Sequence, residues 1–291
     1  MRIARVRVVS IRGVVSNRSS VTVGIPTYNN QATVAQTIRS LRQQSFTAWE
    51  CIVADDSRTK ETYESAREAI GGDSRFEIIS NVQRLGPAGN WNSVLRLATA
   101  PLFKLLCADD ILFEQALERQ VAALNTMPSA VLATSRRDVI NSNEKVIFRD
   151  RGYHSRTNHL DRSEVIRTFV RSGRNLFAEP SFALYDTEAL RQAGGFNAEW
   201  SYVIDFISYL SILEHGKMIP VNESLGAFRI SSDAWTSNLA GTHRAEIRRC
   251  IKFATSLPDS RCSSFDVLRG RALTNVTSLS RNLILRFSTG R

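Results

Sequence analysis

The sequence predicts an α/β protein: a mostly parallel sheet flanked by helices, with further helices at the C-terminal end. Three observations carry this. From residue 21 to residue 135, short apolar runs alternate with segments whose apolar residues recur every three or four positions. Such alternation demands crossover connections between parallel strands. Apolar residues make up 43% of the chain and charged residues 23%, as in an ordinary globular domain. No stretch reaches the roughly 18 consecutive apolar residues of a membrane span.

The elements follow in order. "VTVGIP" (21–26) is a β-branched strand ending at a proline. Val34, Ile38 and Leu41 mark a helix within "ATVAQTIRSLRQQ". "ECIVADD" (50–56) is the second strand, and "TKETYESAREAI" is a helix stopped by the glycines of "GGD" (71–73). "FEIIS" (76–80) is the third strand, "NWNSVLRLATA" a helix, and "LFKLLCADD" the fourth strand. "FEQALERQVAALNTM" is a helix closed by Pro128, before a fifth strand, "AVLATS" (130–135). Beyond it the pattern loosens. Residues 141–175 are polar and read as a surface excursion, "FAEPSFALYDTEALRQAGGFN" as a strand and a helix ended by Gly194 and Gly195. "VIDFISYLSILEHG" reads as an apolar helix and "KMIPVNESLGAFRIS" as short strands. A last helix places Phe265, Leu268, Ala272, Val276, Leu279 and Leu283 on one face, interleaved with Arg269, Arg271, Arg281 and Arg286. That pattern suits either a helix docked on its own domain or a basic amphipathic helix on a membrane surface.

Charge separates the ends from the middle. Residues 1–20 hold five Arg and no acid, and residues 241–291 hold ten Lys/Arg against three acids. The total of +10 therefore leaves residues 21–240 at −2. An acidic middle argues against a nucleic-acid channel. Basic ends suit either solvated tails or contact with an anionic surface. "MRIARVRVVSIRGVVSNRSS" has arginines interrupting its apolar residues and reads as a basic leader rather than a secretory signal. Cys51, Cys107, Cys250 and Cys262 form no CxxC pair, which argues against zinc and for reduced thiols in a cytoplasm.

In a parallel sheet, ligands bind where the strands end. The first strand ends in "PTYNN", the second in "DDS" and the fourth in "DD". Adjacent carboxylates at a strand end need water or a cation beside them. Asp109 and Asp110 suit a hard divalent cation such as Mg²⁺ or Mn²⁺, or simply open a turn. Of Asp55 and Asp56, one is expected to cap or brace the loop, leaving the other for a base or ribose. Tyr28 at a loop tip suits stacking on a base, Arg84 in "RLGPAGNWN" suits phosphate charge, and Asn90 or Asn92 suits a helix cap or a ligand contact.

"IPTYNN", "VADDS", "LGPAGNWN" and "LLCADD", in this order and at these intervals, resemble the nucleotide-binding half of a family 2 glycosyltransferase. "PSFALYDTEALRQAGGF" followed by "VIDFISYLSILEHG" resembles that family's acceptor half. The resemblance covers about 21–235, as a donor half (21–135) and an acceptor half (136–235), with a basic helical extension over 236–291. It implies a GT-A fold, a nucleotide-sugar donor (UDP-linked), Mn²⁺ or Mg²⁺, and inversion at the anomeric carbon. The acceptor would be a saccharide or lipid-linked hydroxyl in cell-surface polysaccharide or glycolipid synthesis, handled at the inner face of the cell membrane. By position, Pro26 and Tyr28 border the base, Asp55 contacts it, Arg84, Asn92 and Arg229 line the donor site, and Asp109 and Asp110 hold ribose and metal, with Asp110 as the metal ligand. Asp205 falls at the catalytic base.

Three positions depart from the family pattern: Cys107 and Ile204, where acids are frequent, and Ser231, where a histidine is frequent. They keep a non-catalytic nucleotide-sugar binding module in view. A nucleotidyltransferase fits less well, because "PTYNNQAT" lacks the glycines and basic residues that grip a triphosphate.

Overall fold

The computed structural model describes residues 20–230 and 242–289, with side chains in the last helix as far as Thr277. All but the last residue of the basic leader, Ser231, and the side chains of Leu279, Arg281, Leu283 and Arg286 lie outside the described residues.

The first half is built as the alternation demands. β1 (Val21–Thr27), α1 (Val34–Arg42), β2 (Trp49–Asp55), α2 (Glu61–Ile70), β3 (Phe76–Ser80), α3 (Gly86–Leu97) and β4 (Leu102–Leu105) form three crossovers. The four strands lie side by side in the order β3-β2-β1-β4, all parallel. β1 is buried along its whole length, as a central parallel strand must be. Pro26 fits there because its missing N–H points toward β4, whose pairing with β1 has already ended at Gly24.

The second half departs from the simple alternation. β5 (Ile111–Leu112) and α4 (Ala116–Asn125) lead into β6 (Ala130–Asn141), which runs well past residue 135. β6 does not lie beside β4. The antiparallel strand β8 (Ala183–Asp186) comes between them. The residues 141–175 read as a loose excursion hold a strand and a helix, β7 (Val146–Arg151) and α5 (Arg162–Ser172). α5 carries a capping box in which Asp161 and Glu164 each accept from the other's backbone N–H, and it buries Val165, Ile166, Phe169 and Val170. A single 3₁₀ turn, Pro180–Phe182, leads into β8. α6 (Thr187–Gln192), α7 (Ile204–Ile212) and β9 (Lys217–Ile230) follow. β9 is one long strand rather than several short ones. It runs parallel to β6, and irregularities near Arg136 let it bend with its partner and then receive β5. Six of the nine strands among the described residues point the same way, so the sheet is mixed but mostly parallel.

Two apolar layers cover the sheet. One joins α1, α2 and α4 through Val34, Ile38, Leu41, Ile70, Leu117 and Leu124. The other joins α3, α5, α6, α7 and α8 (His243–Ser256) through residues such as Trp91, Phe169, Leu190, Phe206 and Ile251. α8 is therefore part of the core. α9 (Ser264–Thr289) lies on α5.

α3 packs closely on the sheet at Gly24. A Cβ there would sit 2.6 Å from Val94 Cγ2 and 2.8 Å from Val94 Cβ, on a stiff β-branched side chain of α3. Gly24→Ala should therefore lower unfolding stability by about 1–3 kcal/mol through overpacking. Urea denaturation followed by circular dichroism would measure it, and a value near zero would mean that α3 is held less closely.

Candidate active site

The C-terminal ends of β1, β2 and β4 share one edge, so Asp55, at the end of β2, and the Asp109–Asp110 loop after β4 flank β1 from either side. Asp55 is 3% exposed. Its Oδ1 accepts from Thr27 Oγ1 (2.8 Å), Ser57 Oγ (2.6 Å) and Ser57 N (3.2 Å). Oδ2 accepts no hydrogen bond from the described residues. Asp56 does different work. It accepts from Leu85 N (2.8 Å), Gly86 N (2.9 Å) and Asn81 Nδ2 (3.0 Å), bracing the loop that opens α3 rather than α2.

Tyr28 and Arg84 come from separate loops and meet. The Arg84 guanidinium carbon lies 4.3 Å from the Tyr28 ring centre, with Tyr28 41% exposed. Next to them Asn29 takes the left-handed conformation (φ +55°), which asparagine tolerates, and its N–H donates to Ser57 Oγ (2.9 Å). A cation–π pair thus sits on the same loop network as Asp55. Arg84, expected to meet phosphate charge, is held against Tyr28.

The two residues of the acidic pair are placed differently. Asp109 is half-buried, and its carboxylate accepts no hydrogen bond from any other described residue. Burial pushes its pKa up. Asp110 is 1% exposed and fully engaged: Oδ1 accepts from Arg229 N (3.1 Å) and Oδ2 from Ser181 Oγ (2.6 Å), while its own carbonyl accepts from Thr37 Oγ1 (2.9 Å). Burial, and then the charge of Asp109, hold Asp110 well above the usual carboxylate range. Asp110, expected from the sequence as the metal ligand, thus has both carboxylate oxygens engaged within the protein, whereas the Asp109 carboxylate does not. Among the described residues no group of three or more His, Cys, Asp or Glu could hold a metal ion. The half-buried Asp109 carboxylate, with no hydrogen bond from another described residue, nonetheless suits Mg²⁺ or Mn²⁺, which complete their shells with substrate phosphates and water.

Two further residues are reassigned. Arg229 is 3% exposed, and its guanidinium donates to Asp109 O (2.9 Å) and to Gln36 Oε1. It clamps the acidic loop to β9 and α1 and has no free face for a diphosphate. Asn92 is committed too. Its Nδ2 donates to Phe196 O (2.8 Å) and its Oδ1 accepts from Phe196 N (2.9 Å), tying α3 to the turn after α6. Its neighbour Asn90 is also structural, with Nδ2 donating to Ala54 O (3.0 Å) and Thr27 O (3.3 Å) at the ends of β2 and β1.

Asp205 stands in the first turn of α7. Burial raises its pKa to about 7, against the lowering effect of the Phe206 amide, with Glu179 raising it further. Oδ2 accepts from Asn175 Nδ2 (2.9 Å). That same amide nitrogen donates to Ala178 O (2.9 Å), and Asn175 Oδ1 accepts from Phe177 N (2.8 Å), so Asn175 shapes the loop in which Ala178 adopts φ +71°. Glu179 follows. Its Oε1 accepts from Arg137 Nη2 (2.6 Å), while its buried Oε2 has no hydrogen-bond partner among the described residues. The charge of Glu179 reaches both Asp110 and Asp205, so one loop borders both acidic centres. The sequence reading missed Asn175, Glu179, Arg137 and Ser181. The one signal available was the "AEPS" segment, an acid before a proline between two apolar runs.

A sheet of this order, with acids at the ends of its parallel strands and another at a helix start linked to them through the Glu179 loop, defines the class: a GT-A type glycosyltransferase. Residues 22–194 match the family model described as Glycosyl transferase family 2, more than half of the chain, and the chain belongs to that family. Its relatives include the UDP-Glc:alpha-D-GlcNAc-diphosphoundecaprenol beta-1,3-glucosyltransferase WfgD of Escherichia coli, 31% identical over 36% of this chain and 40% of that protein. Among solved structures, S. aureus TarS 1-349 in complex with UDP-GlcNAc superposes with a TM-score of 0.61 at 16% identity, covering 90% of this chain and 73% of that one. The mannosyltransferase PcManGT from Pyrobaculum calidifontis, in complex with GDP-Man and Mn2+, superposes at 0.58 with 14% identity, covering 94% and 82%. At these identities the likeness shows the fold.

Proposed function

We propose that this glycosyltransferase moves a sugar, with inversion, from a UDP-linked donor to a hydroxyl of a lipid-linked saccharide at the inner face of the cell membrane. The observation that carries the reading is the division of acids. Asp109, half-buried after β4, accepts no hydrogen bond from another described residue, and Asp205 is held at a raised pKa on another element across the Glu179 loop. Displacement at an anomeric carbon needs negative charge managed at two separate places. Asp55 Oδ2 and the Tyr28–Arg84 pair suit the ribose and base, as the ligand-free acceptor oxygen and exposed aromatic face of the same edge. Asp205 takes the proton of the acceptor hydroxyl. The hydroxyl oxygen bonds to the anomeric carbon as the bond to the diphosphate breaks, and UDP leaves. A divalent ion, when bound at Asp109, supplies charge neutralisation to the departing diphosphate. Two relatives named for diphosphoundecaprenol or PP-undecaprenol acceptors support the acceptor class, and four free cysteines support a reducing compartment.

The test is a thermal-shift panel of UDP, GDP and their sugar conjugates with and without Mn²⁺, followed by donor-turnover assays. UDP conjugates should raise the melting point most, and more with Mn²⁺, since ligands that bind only the native state stabilise it by mass action. A larger shift with GDP conjugates would overturn the donor assignment. Tight UDP binding without turnover of any donor would instead favour a binding module, a reading to which the apolar, 2%-exposed Ile204 beside Asp205 lends weight.

A further inference from the structure

The C-terminal helices carry an apolar face turned outward. α9 crosses α5 through small residues. A Cβ on Gly270 would lie 1.7 Å from Val170 O, one on Gly173 2.3 Å from Gly270 O, and Thr274 Oγ1 donates to Gly173 O (3.1 Å). Beside this crossing the buried Asp266 pairs with Arg167 (3.2 Å) and Arg171 (3.3 Å). The large residues are on the other side: Phe265, Leu268 and Val276 are 68%, 69% and 61% exposed. With Ala272 they fall within an arc of about 80° at 3.6 residues per turn, opposite Asp266, Gly270 and Thr274. A helix docked for solubility would do the reverse.

Positive charge borders this stripe. Arg248, Arg249 and Lys252 of α8 and Arg271 of α9 line a groove of about 490 Å³ between the two helices. Arg249 stacks on Trp200 at 4.1 Å, and Phe253, 39% exposed, lies 5.7 Å from the same ring. An exposed apolar stripe beside four clustered cations matches the surface of an anionic bilayer, where headgroup charge lies next to acyl chains. Among the described residues no helix is long and apolar enough to cross a membrane.

We infer that the α8–α9 face is a membrane-docking surface that inserts Phe265, Leu268 and Val276 at the headgroup boundary of an anionic phospholipid bilayer while Arg248, Arg249, Lys252 and Arg271 hold its headgroups. This rests on the lipid-linked acceptor reading for its purpose but not for its test. The docked face brings the chain to the surface where such an acceptor lies.

The experiment is flotation of the purified full chain with phosphatidylcholine vesicles and with vesicles containing about 30% phosphatidylglycerol. The chain should float with the anionic vesicles and be released by about 0.5 M salt, which shortens the screening length to a few ångströms. Leu268→Ser/Val276→Ser and Lys252→Glu/Arg271→Glu should each lower the bound fraction at least about tenfold. Their melting points and donor hydrolysis in solution should match the parent, since these side chains are exposed. Equal binding to neutral vesicles, or undiminished binding by both variants, would overturn the inference. So would a dimer in light scattering that Leu268→Ser/Val276→Ser converts to monomer, which would make the face a contact between copies. Loss of donor hydrolysis in the parent with vesicle binding intact would count against the catalytic reading alone.

Discussion

Asp205→Asn is expected to lower turnover by about 10²- to 10⁴-fold, the usual worth of a general base, while making the protein more stable at alkaline pH. The two effects have one cause. Burial raises the carboxyl pKa to about 7, so the folded chain prefers the neutral acid, whereas the unfolded chain ionises near 3.9. The stability contributed by the neutral form is fully present below about pH 3.9 and is lost as the pH rises through 7. Asparagine stays neutral at every pH, and its Oδ1 can accept from Asn175 in place of the carboxylate. The melting-point advantage of Asp205→Asn should therefore be largest at pH 8 and shrink toward pH 4. In the parent, kcat/KM should fall about tenfold per pH unit below an acid limb near 7, because the base works only when ionised. Asn175→Ala should move that limb to higher pH, since the Asn175 hydrogen bond lowers the Asp205 pKa. A pH-independent rate between 5 and 8, or full activity in Asp205→Asn, would remove Asp205 from the chemistry.

The adjacent acids should separate just as clearly. Asp109→Ala should cut donor turnover by about 10²- to 10³-fold, as loss of transition-state charge stabilisation does, and abolish any response to Mn²⁺, with an unchanged melting point. Asp110→Ala should act on folding instead. It strips the acceptor from Arg229 N and Ser181 Oγ at a site 1% exposed. Each donor left unsatisfied costs about 1–3 kcal/mol, so the melting point should drop and the loop clamped by Arg229 should loosen. Thermal melts and Mn²⁺ titrations of both variants check the assignment. A stable Asp110→Ala that no longer responds to Mn²⁺ would return the metal to Asp110.

The donor half was legible because its signals are local. β1, β2, β3 and β4 each announce themselves as short apolar runs, and the helices between them by spacing, so the parallel block and its acid-bearing edge follow from periodicity. Asp55, Tyr28 and Asp109 could be named because a parallel strand ends where a ligand binds. α5 was hidden by composition: a polar surface masked the capping box at Asp161 and Glu164. Lys104 shows the opposite case. It interrupts an apolar strand yet is fully buried, because Gln120 Oε1 (2.8 Å) and Ala183 O (3.1 Å), from distant segments, accept its hydrogen bonds.

The sequence by itself determined the alternating architecture, the edge on which the acids gather and the residues eligible for the site. The tertiary structure decided which of those residues are free to act. Asp110, Arg229 and Asn92 are polar groups whose partners lie 71, 120 and 104 residues away, at Ser181, Asp109 and Phe196. Asn175 and Glu179 enter only because the loop before β8 folds across to α7. A side chain's hydrogen-bonding capacity is finite, and whether the protein or a ligand uses it depends on neighbours that only the folded chain brings together.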